Sequence, residues 1–354
     1  MLVRGKPTRT IWLDGDGRTV MAIDQTKLPH AFETFAMRSL EDAAHAIRAM
    51  LVRGAPLIGV TAAYGVALGL REDPSDHALD HACETLRATR PTAVNLAWGL
   101  DRMRAALEKV PRSERLAAAY AEAGRVAEDD VACCKGIADS GLRLLQKVAE
   151  YKDRVEVMTH CNAGWLATVD WGTALAPVYR AHDAGIPVHV WVSETRPRNQ
   201  GASLSAWELG AHGVPYTLVA DNACGHLLAR KKADLVIVGA DRVTATGDVA
   251  NKVGTYLKAL AAREAGIPFY VAFPESTIDW TLEDGVAIPI EERSEDEVTH
   301  LGGVRVAPEG ARAFNPGFDV TPARFVTALV TERGTCAATR DGLRSLYGAA
   351  RGAR

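Results

Sequence analysis

The sequence predicts an α/β protein. Its C-terminal domain is built on a parallel sheet, and its smaller N-terminal domain combines short antiparallel strands with helices. From residue 155 onward, short apolar runs alternate with helical segments, a recurrence typical of βαβ units and a parallel sheet. Before residue 150 the pattern is a strand hairpin followed by helical periodicity. The chain has 354 residues, more than the roughly 250–300 at which single cores usually divide, so we expect two domains.

Turn and cap residues indicate the N-terminal elements. Apolar segments 10–13 and 19–23 flank an Asp-Gly-Asp-Gly turn, which predicts a β-hairpin. Ser39, with Asp42 three residues later, predicts a helix cap, and Pro56 lies where a further helix would begin. We assign residues 1–125 to the N-terminal domain, 126–150 to a linking helix and 151–354 to the C-terminal domain.

The C-terminal strands are predicted from five apolar runs, each followed closely by a polar side chain. The runs are 155–159, 188–192, 216–219, 235–238 and 269–273. The residues that follow them are Cys161, Glu194, Asp221, Asp241 and Glu275. Parallel strands end at a common edge of the sheet, where open α/β folds bind their ligands. We therefore expect these five residues to line a cleft.

Composition and charge exclude several classes of function. The chain has 41 Lys and Arg against 44 Asp and Glu, and a net charge of −3 gives no electrostatic reason to bind nucleic acid or an anionic membrane. No segment reaches the roughly 18 consecutive apolar residues of a membrane span, and the N-terminus lacks the apolar region of a signal peptide. The six cysteines are scattered without a CxxC pair, as in a cytoplasmic protein with reduced thiols.

One stretch carries most of the chemical information. The all-apolar run 235–238 predicts a strand buried on both faces, and this strand delivers Asp241 to the ligand-binding edge of the sheet. Asn251 and Lys252 are predicted to open a new helix, and helix N-termini attract anions. An acid above a cleft, with a lysine near a helix start, indicates proton transfer on a phosphorylated small molecule.

Two further segments each allow two interpretations. Arg53-Gly54-Ala55-Pro56 either holds a phosphate, between a guanidinium and the free amides of a helix start, or is a simple helix-entry turn. Cys161 lies between a strand and a turn, where a thiol is either a packing residue or a base or nucleophile. The residues alone leave both questions open.

Cofactor and metal motifs are incomplete. Residues 54–59 have the GxxxxG spacing of a P-loop, but Val-Thr at 60–61 replaces the Lys-Ser/Thr that clamps a nucleotide phosphate. No GxGxxG follows any predicted strand, which argues against a dinucleotide. His77, His81 and Cys83 have helical ligand spacing without a convincing further ligand, so we interpret them as a solvated helix face. We expect no cofactor and no metal.

Eight motifs, in order along the chain, point to one family. They are Thr159-x-Cys161-Asn162-x-Gly164, Glu194-Thr-Arg-Pro197, Gln200-Gly201, Trp207-Glu-Leu209, Asp221-Asn222, Gly239-Ala-Asp241-Arg242, Gly247-Asp-Val-Ala-Asn-Lys252 and Asn315-Pro-x-Phe-Asp-Val-Thr-Pro322. Together they resemble the methylthioribose-1-phosphate isomerases, which are related to the regulatory subunits of translation initiation factor 2B. Two departures flank the predicted cleft: Ser193 stands where an aspartate is common, and Ala223-Cys224-Gly225 replaces the usual Met-Ala-Gly.

The resemblance implies a mixed N-terminal domain, a Rossmann-like C-terminal domain and a homodimer. It also implies catalytic roles for Cys161 and Asp241. Substrate contacts are implied for Arg53, Gly54, Ala55, Arg90, Gln200, Asn251 and Lys252. The implied reaction belongs to methionine salvage and converts 5-methylthioribose 1-phosphate to 5-methylthioribulose 1-phosphate. Neither a metal nor an organic cofactor is needed for it.

Alternatives remain for the substrate, the mechanism and the class of function. The same chemistry could act on 5-deoxyribose 1-phosphate or ribose 1,5-bisphosphate. Hydrogen could move from C2 to C1 through an enolate formed by Cys161, or by a direct hydride shift in which Cys161 only shapes the site. A protein of this fold could also be a non-catalytic regulatory subunit that senses a sugar phosphate. A pure sensor has no use for a proton-transfer pair, so the presence of both Cys161 and Asp241 favours the enzyme.

Overall fold

The computed structural model describes residues 1–348, and its first strands form two small antiparallel sheets. The strands are β1 (Leu2–Val3), β2 (Lys6–Pro7), β3 (Ile11–Leu13), β4 (Val20–Ile23) and β5 (Thr34–Met37). β1 pairs with β2, and β3, β4 and β5 form a three-stranded sheet in that order. The predicted hairpin is therefore confirmed as β3 and β4, whereas β5 was not predicted.

Five helices follow these strands. They are α1 (Leu40–Arg48), α2 (Ala55–Gly69), α3 (Asp76–Arg87), α4 (Val94–Leu107) and α5 (Arg112–Ala149). The predicted cap of α1 is confirmed, because the Ser39 hydroxyl accepts from the Asp42 amide and the Asp42 carboxylate accepts from the Ser39 amide. α2 begins with Pro56 in its first turn, as predicted. Its side chains are buried nearly all round, which makes it the central helix of this part of the molecule.

The remaining elements alternate strands with helices before ending in an irregular region. They are β6 (Val155–His160), α6 (Ala176–Asp183), β7 (Val188–Ser193), α7 (Ala206–His212), β8 (Tyr216–Val219), α8 (Ala223–Ala229), β9 (Leu235–Val238), β10 (Arg242–Thr244), β11 (Val249–Lys252), α9 (Thr255–Ala265), β12 (Phe269–Ala272), β13 (Ile278–Asp279), α10 (Asp296–Thr299), β14 (His300–Leu301), β15 (Val304–Arg305), β16 (Phe318–Thr321), β17 (Ala328–Thr331), β18 (Gly334–Cys336) and α11 (Arg340–Tyr347). All five apolar runs predicted as strands are strands.

A seven-stranded sheet organises this part of the chain, in the order β18-β17-β12-β9-β6-β7-β8. Its pairs are parallel except for β17 with β18 at one edge. The carboxyl ends of β6, β7 and β9 therefore open toward one side of the sheet, where α/β folds bind ligands. The predicted fold class, a parallel-sheet C-terminal part with a smaller part of antiparallel strands and helices before it, is confirmed.

The segment after Asp241 differs from its prediction. Asn251 and Lys252 do not open a helix: they end β11, which folds back antiparallel on β10 through a turn at Gly247 with φ +94°. β10 and β11 belong to a second sheet of order β13-β10-β11-β16. The next helix, α9, begins only at Thr255. A strand of four residues is too short to show a period of two, and the helical pattern that follows it makes its last two residues resemble a helix start.

The described residues form three hydrophobic cores, and α5 contributes to two of them. The first core contains α1–α5, and the second lies between the sheet and the helices on one of its faces. α5 is a single helix of 38 residues, so the boundary predicted at residue 125 lies inside it. The division into domains stays a prediction. No helix among residues 1–348 is long and apolar enough to cross a membrane.

Candidate active site

The two residues predicted to be catalytic follow adjacent strands. Cys161 comes directly after β6 and Asp241 shortly after β9, and these strands pair in parallel with Met158 beside Val236. Strand pairing therefore places both residues at one edge of the sheet. The Asp241 amide is fixed by the Ala250 carbonyl, at 2.9 Å, where the β10–β11 hairpin begins.

The backbone of Cys161 has an unusual conformation that two hydroxyl groups stabilise. Its φ is +63°, in the left-handed region that residues other than glycine rarely adopt. The Cys161 amide donates to the Thr195 hydroxyl at 2.8 Å, and its carbonyl accepts from the Ser205 hydroxyl at 2.7 Å. The side chain is only 8% exposed. Such conformations cluster at functional sites, where the surrounding structure holds them in place, so the geometry favours a functional role over simple packing.

The segment Arg53-Gly54-Ala55 reaches this edge from the N-terminal part. Gly54 precedes α2 with φ +106°, and a Cβ there would lie 2.5 Å from the Ala167 Cα, so only glycine fits. No side chain caps α2. Its first amides are thus free of intrahelical partners and can bind an anion. The Arg53 guanidinium donates to the Asn162 side-chain oxygen and, at 2.8 Å, to the Asn162 carbonyl.

One cavity joins several of the predicted residues. Gly54, Ala55, Arg90 and Asp241 all line it. Much of the remaining wall is apolar and is formed by Ile58, Val94, Ile288, Pro289, Ile290 and Phe318. The combination of an apolar wall with a few polar groups is typical of a small-molecule site.

Asp241 faces this cavity from a partly buried position among cations. Burial raises the pKa of its carboxyl group, while Lys252, Arg90, Arg53 and Arg293 act in the opposite direction without reversing the shift. The carboxyl group is therefore held nearer to its protonated form than an exposed aspartate. An acid with a raised pKa beside several cations can donate a proton to a bound sugar phosphate.

Lys252 lies close to both predicted catalytic residues. Burial, followed by the charge of Arg293, lowers the pKa of Lys252 to about 8, while Cys161 and Asp241 raise it. Its ammonium group donates to the Gly317 carbonyl at 2.7 Å and lies 4.8 Å from the centre of the Phe318 ring. Asn251 is also buried, and its amide donates to the Thr255 hydroxyl at 3.0 Å.

The helix N-terminus nearest to Lys252 is already occupied. The Asp319 carboxylate accepts from the Gly254 amide at 2.7 Å and from the Tyr256 amide at 3.2 Å, at the start of α9. Since this carboxylate occupies the position that an anion would take, the phosphate is not expected there. The N-terminus of α2 is the helix start that remains available beside Arg53.

Gln200 is placed on a neighbouring depression. Together with Arg53 it lines an opening of about 1030 Å³. Gln200 is 8% exposed, and its side-chain oxygen has no hydrogen-bond partner among residues 1–348. A buried acceptor without a donor is costly, so a ligand hydroxyl is a suitable partner. Arg53 thus lies between this depression and the cavity lined by Asp241.

A larger groove of about 2370 Å³ lies elsewhere and contains none of the predicted substrate contacts. It includes Glu275, which was expected to line the same cleft as Asp241. The Glu275 carboxylate forms an ion pair with Arg333 at 3.3 Å. The prediction that all five strand-end residues line one cleft is therefore wrong for Glu275. No cluster of His, Cys, Asp and Glu suited to a metal ion occurs in the described part of the chain.

Comparison with known proteins identifies the family. The model of the initiation factor 2 subunit family matches residues 51–338. The chain belongs to this family. A methylthioribose-1-phosphate isomerase of Methylorubrum populi is 61% identical over 358 residues, covering 98% of each chain. The resemblance derived from the motifs is thereby confirmed.

Solved structures of family members share the whole fold. The 5-methylthioribose 1-phosphate isomerase of Pyrococcus horikoshii OT3 is 41% identical, with a TM-score of 0.86 over 97% of this chain and 96% of that one. The delta subunit of translation initiation factor eIF-2B from A. fulgidus is 39% identical, with a TM-score of 0.83 over 96% of this chain and 99% of that one. Fold likeness within the family therefore does not by itself separate the isomerase from the initiation factor.

Sequence reasoning missed a second group of site residues in the segment between β13 and β16. Glu291 forms ion pairs with Arg90 at 3.0 Å and with Arg293 at 3.4 Å. Burial alone would raise the pKa of Glu291, but these two arginines lower it. Arg293 also lies 5.4 Å from the centre of the Phe318 ring. Phe318 lies in a motif of the family resemblance, which was the one signal available for this group.

Proposed function

We propose that the protein is an aldose-ketose isomerase that converts 5-methylthioribose 1-phosphate to 5-methylthioribulose 1-phosphate. The observation that carries the proposal is the position of Asp241. This partly buried acid, with a raised pKa, lines the same cavity as the uncapped start of α2 and Arg90. The names and the 61% identity of the relatives support the same reaction.

The phosphate would bind where the positive charge is concentrated. Four cations lower the pKa of Asp241: Arg53, Arg90, Lys252 and Arg293. Two of them, Arg90 and Arg293, form ion pairs with the same carboxylate, Glu291. The free amides at Gly54 and Ala55 add donors suited to phosphate oxygens. A phosphate dianion bound to these donors neutralises part of the positive charge, and Asp241 then lies next to the sugar.

Ring opening is the first chemical task. The anomeric oxygen of an aldose 1-phosphate is esterified, so the ring does not open as a free sugar does. Asp241 donates its proton to the ring oxygen as the bond from that oxygen to C1 breaks, and the phosphorylated C1 becomes electron-poor. Such general acid catalysis typically contributes about 10²–10⁴ in rate.

Hydrogen must then move from C2 to C1. We propose that the Cys161 thiolate removes the C2 proton to give an enol and returns it to C1. The C2 hydroxyl passes its proton to the Asp241 carboxylate, which restores the acid and leaves a ketone at C2. In the alternative, a hydride moves directly from C2 to C1, and Asp241 takes the same hydroxyl proton. Both routes balance without an added oxidant or reductant.

The cavity wall supports an apolar substituent at C5. Ile58, Ile288, Ile290 and Phe318 offer hydrocarbon and ring surface next to Asp241. A methylthio group gains from burial against such a wall by roughly 25 cal/mol for each Å² of apolar area. A second phosphate would instead have to be desolvated there, which is costly without cations of its own. Ribose 1,5-bisphosphate is therefore the less suitable substrate.

A panel assay tests the function directly. Purified protein is incubated separately with 5-methylthioribose 1-phosphate, 5-deoxyribose 1-phosphate and ribose 1,5-bisphosphate, and ketose formation is measured. We expect the highest kcat/KM with the methylthio sugar. A higher kcat/KM with the bisphosphate would refute the substrate assignment. Binding of all three without turnover would instead favour a sugar-phosphate-sensing subunit, which the likeness to an initiation factor subunit keeps as the second candidate.

We further propose that the protein acts as a homodimer in the cytoplasm. Twofold homodimers are the commonest assembly of soluble oligomers. The scattered cysteines are all free in the structure, in keeping with a reducing compartment.

A further inference from the structure

Asn162 joins Arg53 to the loop that carries Cys161. The two terminal nitrogens of the Arg53 guanidinium donate to the side-chain and main-chain oxygens of this one residue. A guanidinium has five N–H groups in a fixed plane, so two bonds to one residue set its orientation and leave three N–H groups for a ligand. Arg53 precedes α2, whereas Asn162 follows β6, so the contact links distant parts of the chain.

The amide of Asn162 can be oriented in only one way. Its oxygen must face Arg53, which has donors only. Its NH₂ group then donates to the Ser205 hydroxyl at 3.1 Å, and this hydroxyl in turn donates to the Cys161 carbonyl. The same amide acts on the nearby Glu208 carboxyl group and lowers its pKa, against the larger effect of burial. The orientation of Arg53 is thus coupled to the backbone of Cys161.

Glu208 is a fully buried acid that the proposed mechanism does not use. Its side chain is 0% exposed and accepts from the Leu166 amide at 3.1 Å and the Tyr179 hydroxyl at 2.8 Å. The carboxyl group lies directly against Gly164, where a Cβ would overlap its oxygen at 1.2 Å. Burying a carboxyl group is costly, and here its partners are the loop of Cys161 and a helix behind it. Burial raises the pKa of Glu208 to about 7.

We propose that Asn162 and Glu208 are positioning residues that hold the Arg53 guanidinium in its ligand-binding orientation. Glu208 holds the loop that carries Asn162, through the Leu166 amide and its contact with Gly164, and Asn162 fixes Arg53 next to Cys161 and Asp241. Neither residue needs to touch the substrate. The part of this inference that concerns turnover rests on the proposed function, whereas the part that concerns anion binding does not.

A double-mutant cycle tests this arrangement. Wild type, Arg53→Ala, Asn162→Ala and the double variant are compared by the KM for 5-methylthioribose 1-phosphate and by the dissociation constant for inorganic phosphate. Loss of a charge-assisted contact weakens binding about tenfold or more, so each single variant should raise both constants by at least that factor. Since Asn162 acts through Arg53, the double variant should match Arg53→Ala within about twofold. If the constants of the double variant are raised by the product of the two single effects, the proposal is overturned.

Glu208→Gln provides a second, milder perturbation. The substitution keeps the shape but turns one acceptor into a donor, so we expect KM to rise with kcat less affected, and no further rise when Asn162→Ala is already present. Asn95→Ala is the matched control, because Asn95 is equally buried and its amide also links distant segments, through Ser276 at 2.9 Å. It should lower the melting temperature without changing phosphate affinity. An equal loss of phosphate affinity in this control would reduce Asn162 to a structural residue.

Because turnover and phosphate affinity are measured separately, failure of this proposal can be distinguished from failure of the proposed function. If wild type isomerises none of the sugar phosphates, the function fails, and the phosphate cycle still decides whether Asn162 orients Arg53. Phosphate affinity that does not depend on Arg53 would overturn the positioning role even in an active isomerase.

Discussion

Lys252 should make substrate capture depend on pH near pH 8. Its pKa is lowered to about 8, first by burial and then by the charge of Arg293. Because the pKa is lowered, the side chain is charged below pH 8 and neutral above it. The proposed contact of Lys252 with the phosphate is therefore present at neutral pH and lost as pH rises through 8.

The size of the effect follows from the titration. A lysine of pKa about 8 is charged in roughly nine-tenths of molecules at pH 7 and in roughly one-tenth at pH 9. The contact is worth about 1.5–3 kcal/mol, or about 10–150-fold in affinity, so the residual affinity of the neutral form limits the fall at the lower end of this range. We therefore expect kcat/KM to fall about fivefold to ninefold between pH 7 and pH 9. A phosphomonoester, with a second pKa of about 6, keeps its charge throughout this range.

The assay compares wild type with Lys252→Arg from pH 7 to pH 9.5. Arginine keeps its charge in this range, so the variant, whatever its absolute rate, should lose the step near pH 8. Lys252→Ala should have a low kcat/KM that also lacks this step. If wild type and Lys252→Arg fall together near pH 8, another group titrates there and the reasoning about Lys252 is wrong.

Four further outcomes are expected. Asp241→Asn should lower kcat by about 10²–10⁴ while substrate still binds, because an amide cannot supply the proton; activity within tenfold of wild type would contradict its role as the acid. Cys161→Ser should lose nearly all kcat, and alkylation of Cys161, located by peptide mapping, should be blocked by substrate; a fully active variant would return this cysteine to packing. Arg90→Ala should chiefly raise KM, about tenfold or more, and an unchanged KM would place the phosphate elsewhere. Light scattering at micromolar concentration should show a dimer, and a monomer would refute the assembly.

The main sheet could be predicted because its strands are apolar runs between helical segments and can be recognised locally. The strands β6, β7, β9 and β12 are apolar runs between helical segments, and their order along the chain already implies parallel pairing. The positions of Cys161 and Asp241 follow from this, since each comes just after such a strand. The capping box at Ser39 could also be predicted, because its two partners, Ser39 and Asp42, lie within four residues of sequence.

The second sheet and the cavity wall could not be predicted, for a different physical reason. The strands β10, β11 and β13 have two to four residues, and apart from the β10–β11 hairpin their pairings join segments far apart in sequence, as for Lys252 beside Phe318. These strands are also less apolar than those of the main sheet, so they owe their conformation to tertiary pairing, not to local pattern. Arg293 and Glu291 lie in a segment without periodicity, so only the folded chain brings them to Arg90.

The continuous helix α5 has a consequence for how the enzyme can close over a substrate. At 38 residues it extends about 57 Å, and its buried side chains pack into the first core near Ala123 and into the second near Ile137. A hinge within it would break backbone hydrogen bonds in the middle of a packed rod. The first and second cores, which α5 joins, therefore move as one rigid piece. The loop bearing Ile288 and Ile290 forms a wall of the cavity without being part of this rigid helix, so a substrate-dependent movement would involve that loop and not α5.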